Sequence, residues 1–368
     1  MTPVMISTMV LCFALTVSVA VSIGLASILG IQVGNANMLI SVKEMFNAIN
    51  KFPLAAIPFF ILAGNIMETG GISRRLVEFA KSLVGGVQGG LPMTCVLTCM
   101  IFAAVSGSSV ATTFAIGTIL IPALIKHGYP TTWAAALQAT SAELGVIIPP
   151  SIPMILYGVS AEVSIGELFI AGFGPGILIG LALMAFVWVY CRIKGWGKND
   201  GDGRLGVGKA TWQAGWALLM PVIILGGIYG GVFTPTEAAV VAAVYALFVA
   251  TVVYRELKLH QLYEVFVSAA KTTAVIMFLV AAAMVSAWLI TVAQIPAQMV
   301  AMLQPFMDNP TLLLIAIMVL VMAVGTAMDM TPTILIMTPV LMPVVKAAGI
   351  DPVYFGVLFI INNAIGLI

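Results

Sequence analysis

The chain has 368 residues, of which 61% are hydrophobic and only 8% are charged. A typical soluble domain has about 25% charged residues. Fifteen Lys/Arg and 14 Asp/Glu are too few to cover a water-exposed surface of this size. This composition excludes the soluble enzyme classes, and a net charge of +1 without a basic tract excludes a nucleic-acid partner. The sequence predicts an all-α polytopic membrane protein.

Ten apolar runs are candidates for membrane segments, because about 20 apolar residues cross the bilayer core as a helix. The first run is long enough for either one tilted helix or two short ones. The runs are 3–32, 53–67, 89–125, 132–160, 174–191, 212–232, 236–254, 270–292, 311–345 and 352 onward.

Two of these runs are too long to cross the membrane once. Run 89–125 would be about 55 Å long as a straight helix, and Ser106-Gly107-Ser108-Ser109 interrupts it near its middle. Run 311–345 is interrupted at Gly325-Thr326 in the same way. Each run is therefore predicted to be a re-entrant hairpin of two half-helices.

Run 132–160 is predicted to be a broken helix. Gly145 and the pair Pro149-Pro150 lie inside it, and proline removes a backbone donor and disfavours helical geometry in the residue before it.

The basic residues are distributed unequally between the predicted faces, which orients the chain by the positive-inside rule. Lys43, Lys51 and Lys346 lie on one face, predicted to be periplasmic. Segments 38–51 and 72–84 are predicted to be amphipathic helices at the periplasmic and cytoplasmic interfaces. Twelve basic residues lie on the predicted cytoplasmic face: Arg74, Arg75, Lys81, Lys126, Arg192, Lys194, Lys198, Arg204, Lys209, Arg255, Lys258 and Lys271.

An internal repeat relates the two halves at a constant offset of 221 residues. Thr112 pairs with Thr333, and Gly145 pairs with Gly366. An odd number of predicted crossings separates the repeats, so they are expected to have opposite orientations in the membrane. The predicted organisation is a first inverted repeat at 1–194, a cytoplasmic linker at 195–211 and a second inverted repeat at 212–368. Inverted repeats with broken helices are typical of secondary transporters.

The breaks are predicted to carry the function. Hydroxyls of the serine motif and carbonyls of 145–150 are the oxygens that a desolvated Na⁺ requires. A simple helix kink is the alternative for a single break, but equivalent breaks in two repeats favour an ion site. Glu143 and Asp329 lie next to breaks and are predicted site carboxylates. Glu237 instead fits a capping box with Thr234.

Two other function classes are alternatives to a transporter. An intramembrane enzyme would need a catalytic set, and the sequence has no H-E-x-x-H or G-x-S-x-G motif. A channel-like or structural component would not need inverted repeats. The sequence therefore predicts a transporter with no catalytic residues and no cofactor.

Five motifs in order resemble the large membrane subunit (DctM-like) of TRAP transporters, the tripartite ATP-independent periplasmic type. The resemblance covers essentially the whole chain, and the segments 271–296 and 350–368 are most similar to members that handle sugar acids such as diketogulonate. The motifs are FPLAAIPFFILAGNIMETGGISRRL (52–76), AAVSGSSVATTFAIGTILIPALI (103–125), GVIIPPSIPMILYG (145–158), FTPTEAAVVAAVYAL (233–247) and the segment 323–368.

The resemblance implies an elevator fold like that of the ion-transporter superfamily, in which a transport domain carrying both hairpins moves against a scaffold. It implies Na⁺-driven import of a small organic anion (a C4-dicarboxylate, sialic acid or a sugar acid) across the bacterial inner membrane. Implied partners are a small four-helix membrane subunit, a periplasmic substrate-binding protein and membrane lipid. The alternative is a Na⁺- or H⁺-coupled organic-anion transporter that works without a binding protein.

The resemblance also assigns site residues by position. Na⁺ is the only metal expected, and the family pattern continues beyond Ile368 with a Thr-Pro-Pro stretch and further helices, so the second ion site is expected to be incomplete in this sequence. The predicted sodium ligands are Ser106, Ser109, Gly145, Ile148 and Pro150 in the first site and Gly325, Met328 and Gly366 in the second. The predicted substrate-binding residues are Ser108, Thr112, Glu143, Asp329 and Thr333.

Overall fold

A computed structural model describes residues 2–198, 200, 204–303 and 309–368. These residues form helices and their connections, without a strand among them, which confirms the all-α fold class. A 3₁₀ turn at Phe52–Ala55 precedes α4, and a π turn at Val249–Val253 follows α13. The helices are α1 (Thr2–Ala14), α2 (Val19–Val33), α3 (Leu39–Ile49), α4 (Ala56–Thr69), α5 (Ile72–Val84), α6 (Gly90–Ser106), α7 (Ser109–Lys126), α8 (Thr131–Ala142), α9 (Leu144–Ile147), α10 (Ile152–Ala161), α11 (Ile165–Lys194), α12 (Val207–Tyr229), α13 (Pro235–Phe248), α14 (Leu259–Val292), α15 (Ile295–Leu303), α16 (Pro310–Gly325), α17 (Met330–Ala347) and α18 (Pro352–Gly366).

The described helices have the lengths of a polytopic membrane protein. Seven of them are long and apolar enough to cross a bilayer, or eight if the bent pair at 131–161 counts as one span. Helices α6, α16 and α18 are apolar but shorter, as half-helices would be. The first run contains two short helices, α1 and α2, which decides between the two alternatives that the sequence left open.

All three predicted breaks are confirmed. Run 89–125 divides into α6 and α7 at Gly107-Ser108, and run 311–345 divides into α16 and α17 across residues 326–329. Run 132–160 divides into α8, α9 and α10, with a bend of 43°. The second helices of the two hairpins, 109–126 and 330–347, begin and end at positions 221 residues apart.

Local sequence explains where several helices begin. Thr234 accepts a hydrogen bond from the Glu237 backbone N–H, and the Glu237 carboxylate accepts one from the Thr234 N–H at 2.8 Å. This capping box confirms the structural interpretation of Glu237. Ser108 caps α7 by accepting from the Ala111 N–H, and Asp351 caps α18 by accepting from the Tyr354 N–H.

The chain forms two compact units, each made of segments from both halves of the sequence. Unit 1 contains residues 1–55, 153–168 and 271–368, and unit 2 contains residues 56–152 and 169–270. The first hairpin therefore belongs to unit 2 and the second hairpin to unit 1. The predicted repeat boundaries and a transport domain carrying both hairpins stay predictions.

Unit 1 is built around α1, α2 and the C-terminal part of α14. Met5, Ile31 and Leu289 are members of its buried apolar cluster, within which the Ser27 and Ser286 hydroxyls are hydrogen-bonded to each other. On α10, the Tyr157 hydroxyl donates to the Pro352 carbonyl at 2.7 Å, where α18 begins. The Tyr157 bond holds the start of α18, the helix that carries Gly366 of the second predicted ion site.

In unit 2, α4 packs against α13, a helix with a buried stripe of small residues. Ala238, Ala242 and Ala246 are buried on one face of α13, and small residues permit close approach of membrane helices. Segment 72–84 forms α5, whose Ile72, Leu76 and Ala80 are buried, which confirms the predicted amphipathic helix. Segment 38–51 also forms a helix, α3, in unit 1.

The first part of the linker predicted at 195–211 packs against unit 2. Trp196 lies against Tyr129 and Trp133, with ring centroids 6.0 and 5.6 Å away. The buried Asp200 carboxylate accepts hydrogen bonds from the Tyr129 hydroxyl at 2.6 Å and from the Leu91 N–H at 3.1 Å. Residues 199 and 201–203 of this predicted linker lie outside the described residues.

Candidate functional site

The first hairpin turns at a cluster of backbone and hydroxyl oxygens. Gly107 ends α6 in the left-handed conformation, with a φ of +64°, which glycine adopts at least cost. Its carbonyl accepts the Ile152 N–H at 3.0 Å, and a Cβ at this position would lie 2.7 Å from the Pro150 carbonyl oxygen. The hairpin tip is thereby joined to the Pro149-Pro150 segment of the broken helix.

Thr112 lies at the centre of this cluster. Its hydroxyl donates to the Ser108 carbonyl at 2.8 Å and lies 3.2 Å from the Ser106 hydroxyl. A threonine hydroxyl has a single hydrogen, so Ser106 must be the donor in the Ser106–Thr112 contact. The lone pairs of the Ser106 oxygen are then left to accept from, or coordinate, another group.

Gly145 brings the broken helix onto the same oxygens. A Cβ at Gly145 would lie 2.8 Å from the Thr112 hydroxyl oxygen and 2.9 Å from the Ser108 carbonyl oxygen, so a larger residue would enter the cluster. Pro149 has no N–H, so the Gly145 carbonyl loses the donor that a regular helix would provide four residues later. The Val146 carbonyl loses its helical donor to Pro150 in the same way. It accepts a hydrogen bond from the Ser151 hydroxyl at 2.6 Å instead.

The remaining predicted residues of the first site border this cluster. Ser109 opens α7, and its carbonyl accepts the Thr113 hydroxyl. Ile148 has extended backbone after α9, and its side chain packs against Gly176 of α11. Glu143 joins α8 to α9, is half-buried, and accepts the Val146 N–H at its carbonyl. Ser106, Ser108, Thr112, Gly145 and Pro150 thus meet in unit 2.

Helix ends give this region a polarity. Helix α6 ends at Ser106 and α9 ends at Ile147, and the carbonyl end of a helix carries partial negative charge. Helix α7 begins at Ser109, and its amino end carries partial positive charge. This polarity would favour a cation beside the carbonyl end of α6 and an anionic group beside the first N–H groups of α7.

The second hairpin has a related arrangement in unit 1. The Thr333 hydroxyl donates to the Asp329 carbonyl at 2.9 Å, and these residues correspond to Thr112 and Ser108 at the offset of 221. Gly366 packs against Gly325, because a Cβ at Gly366 would lie 3.2 Å from the Gly325 Cα. Met328 is half-buried, while the exposed Asp329 precedes α17 without capping it through its side chain.

Asn363 is a candidate site residue that the sequence analysis missed. Its side chain is fully buried, and neither amide atom has a hydrogen-bond partner among the described residues. A Cβ at Gly325 would lie 2.5 Å from its Oδ1, so the amide faces the break between α16 and α17. Two adjacent asparagines in an apolar run were the available signal. The neighbouring Asn362 has a structural role, since its Nδ2 donates to the Met318 carbonyl at 2.6 Å.

Ser141 is a second buried polar group that was missed. It is fully buried on α8, one turn before Gly145, and its hydroxyl has no partner within the described part of the chain. Buried polar groups are almost always hydrogen-bonded. Both orphan groups therefore mark places where an oxygen or amide is available to a ligand.

Broken helices whose ends gather hydroxyl, carbonyl and amide oxygens at two related positions are typical of membrane transporters. The family pattern described as "Tripartite ATP-independent periplasmic transporter, DctM component" matches residues 6–368. The chain belongs to this family of transporter components, which confirms the resemblance and excludes the intramembrane enzyme.

Individual relatives agree with this assignment. The chain is 50% identical over 329 residues to the 2,3-diketo-L-gulonate TRAP transporter large permease protein YiaN of Escherichia coli (strain K12), covering 89% of this chain and 77% of that protein. It is 40% identical over 351 residues to the C4-dicarboxylate TRAP transporter large permease protein DctM of Pseudomonas aeruginosa. This match covers 94% of this chain and 82% of that protein.

A solved structure has the same fold. The crystal structure of the Alcanivorax borkumensis YdaH transporter, described as having an unusual topology, matches with a TM-score of 0.62 at 13% identity. The match covers 88% of this chain and 76% of that one.

Proposed function

We propose that this chain is the transport subunit of a Na⁺-coupled importer of small organic acids in the bacterial inner membrane. The family description names a tripartite, ATP-independent, periplasmic system. Without ATP, uphill import must draw on an ion gradient. The word "tripartite" in that description supports two partners for this chain. We propose that they are a small four-helix membrane subunit and a periplasmic substrate-binding protein.

The observation that carries this proposal is the oxygen cluster at the first hairpin tip. The Ser106 hydroxyl, with its lone pairs unused by Thr112, lies at the carbonyl end of α6. Gly145 is the residue that leaves room beside Thr112 and Ser108. Hydroxyl and carbonyl oxygens at broken helix ends are the groups that coordinate Na⁺ in secondary transporters. Ser109, Ile148 and Pro150 remain proposed contributors.

A second Na⁺ is proposed near Gly325, Met328 and Gly366. Support comes from the buried Asn363 amide that faces Gly325, since a cation would satisfy its Oδ1. The substrate is proposed to contact Ser108, Thr112, Glu143, Asp329 and Thr333. A carboxylate beside the amino end of α7 would be favoured by the helix dipole.

A sugar acid is the proposed substrate class, since the 50% identical relative is named for 2,3-diketo-L-gulonate. An elevator movement that carries both hairpins is the proposed means of crossing the membrane.

Uptake by proteoliposomes tests the function. The chain is reconstituted with the small membrane subunit, and labelled sugar acid is added with or without the periplasmic binding protein. Uptake is expected only with an inward Na⁺ gradient and the binding protein together. Uptake with a proton gradient alone would overturn Na⁺ coupling, and full uptake without the binding protein would favour the simpler symporter.

A further inference from the structure

Unit 2 contains a large cavity whose lining includes none of the proposed ion-site residues. It has a volume of about 1140 Å³ and is bounded by α5, the first half of α12 and the end of the π turn that follows α13. Pockets for small organic ligands are about 300–1000 Å³, so the size fits a longer occupant. Arg74, Trp212, Trp216, Leu219 and Tyr254 are among its lining residues.

One end of this cavity is basic. Arg74 and Arg75 each pair with Glu256 at 2.8 Å. Arg75 is held further by the Gly71 carbonyl and by the Tyr254 ring, whose centroid lies 3.7 Å from its guanidinium carbon. The Arg74 side chain is 63% exposed and has only the Glu256 hydrogen bond among the described residues. Most of its five N–H donors are therefore available.

The surroundings of the cavity are also basic. The bounding segments 71–81, 207–219 and 253–258 contain six basic and two acidic residues. Glu256 and Glu78 thus neutralise a minority of the positive charge. Arg74 is the basic side chain best placed to bind an anion, because it lines the cavity and is largely exposed.

The rest of the cavity is apolar and aromatic. Trp212, Trp216 and Leu219 follow one another at helical spacing along α12, so they form one stripe. Trp212 is 87% exposed and Trp216 46% exposed. In membrane proteins, exposed tryptophans near helix ends lie at the level of the lipid headgroups. The stripe begins beside the arginines and continues along the candidate span Val207–Tyr229.

We propose that this cavity binds an anionic phospholipid. The phosphate contacts Arg74, and the acyl chains lie along the stripe formed by Trp212, Trp216 and Leu219. Basic pockets on the cytoplasmic side of membrane helices bind anionic headgroups, and the positive-inside rule predicts this face to be cytoplasmic. A compact polar metabolite would use the arginines and leave the exposed tryptophans uncovered.

Quenching of tryptophan fluorescence by brominated lipids tests the site. The assembled complex with its small membrane subunit is placed in nanodiscs that contain either brominated phosphatidylglycerol or brominated phosphatidylcholine at matched mole fractions. The contribution of Trp212 is the difference between the wild-type complex and the Trp212→Phe variant. This contribution is expected to be quenched at a lower mole fraction of phosphatidylglycerol than of phosphatidylcholine.

A charge variant identifies the headgroup contact. Arg74→Gln is expected to raise the phosphatidylglycerol fraction for half-maximal quenching of Trp212 about fivefold, the factor for one basic side chain near a membrane surface. Lys126→Gln, which removes an exposed charge at the end of α7, is the matched control and should have no effect. Equal quenching by the two lipids would overturn the proposal. Absence of quenching by both would also overturn it, since a protein partner would then cover Trp212.

Discussion

Thr112 and Thr333 have the same local structure in the two hairpins, but their surroundings differ. Each hydroxyl donates to a carbonyl four residues earlier, at 2.8 and 2.9 Å. At the offset of 221, Ser106 corresponds to Ala327, and Ala142 corresponds to Asn363. The first proposed ion site therefore depends on a serine hydroxyl, and the second on a buried amide. The repeats share Gly145 and Gly366, but Asn363 has no polar counterpart in the first repeat, so the internal repeat does not reveal it.

Ser106→Ala is expected to raise the Na⁺ concentration for half-maximal uptake about fivefold, because it removes one ligand oxygen worth about 1 kcal/mol. The free energy of unfolding should fall by about 1 kcal/mol, because the hydrogen bond to Thr112 is also lost. Ser22→Ala is the matched control: Ser22 is equally buried, but its hydroxyl donates to the Val17 and Ser18 carbonyls, just before its own helix α2. Uptake assays at graded Na⁺ check the prediction, and an unaltered Na⁺ dependence would contradict the first site.

Asn363→Leu is expected to change stability and transport in opposite directions: the protein becomes more stable and loses Na⁺-dependent uptake. A buried amide without partners costs about 1–3 kcal/mol, so leucine should raise the free energy of unfolding while Na⁺-dependent uptake is lost. Asn362→Leu should instead lower the free energy of unfolding by about 1 kcal/mol, because it removes the bond to Met318. Thermal melts and uptake on both variants measure this. Retained transport by Asn363→Leu would show that the amide has no ligand.

At the scale of elements, glycine and proline made the broken helices predictable. The serine motif, Gly145 and Pro149-Pro150 interrupt apolar runs, and the structure breaks the helices there. Run 174–191 was predicted too short, since α11 begins at Ile165 and continues through Pro175. Membrane helices tolerate such a proline because neighbouring groups satisfy the freed carbonyl. The positions of helices relative to a bilayer stay predictions.

The docked linker segment was not predictable, because its partners are distant in sequence. Polar and glycine-rich composition favours a flexible connection. The contacts of Asp200 with Tyr129 and Leu91, and the packing of Trp196 on Trp133, depend on where α6, α8 and α11 meet. The composition of the linker does not predict these contacts with residues that are distant in sequence.

Tyr129→Phe is expected to lower the free energy of unfolding by about 2 kcal/mol at neutral pH, since it removes a hydrogen bond to a carboxylate. Burial, and then the hydrogen bond to Asp200, raise the pKa of Tyr129 above its usual value. The folded state therefore keeps a proton that the unfolded state loses near pH 10. The stability difference between wild type and variant should be constant below pH 10 and shrink above it in thermal melts. A difference that grows with pH would contradict this.

At the scale of the whole molecule, two proposed Na⁺ per cycle make import electrogenic. Each charge moved inward gains about 2.3 kcal/mol per 100 mV, so two ions gain about 4.6 kcal/mol per 100 mV. A monoanionic sugar acid returns one charge and leaves a net inward charge of one. An inside-negative potential set with valinomycin and K⁺ should accelerate uptake in proteoliposomes. Indifference to that potential, with a substrate of known single charge, would contradict the two-ion scheme.

The π turn at Val249–Val253 sets the rotational phase of the chain that follows it. The Tyr254 N–H donates to the Val249 carbonyl five residues back, so this turn holds one residue more than an α turn. Successive residues of an α-helix differ by about 100° around the axis. Deleting one residue of the π turn would leave Tyr254 and Glu256 in the chain. It would rotate both side chains by about 100° around the axis of α13, away from Arg75. The contacts of Arg75 with Tyr254 and Glu256 therefore depend on the number of residues in the π turn. A scan of single substitutions, which keeps that number constant, would not detect this dependence.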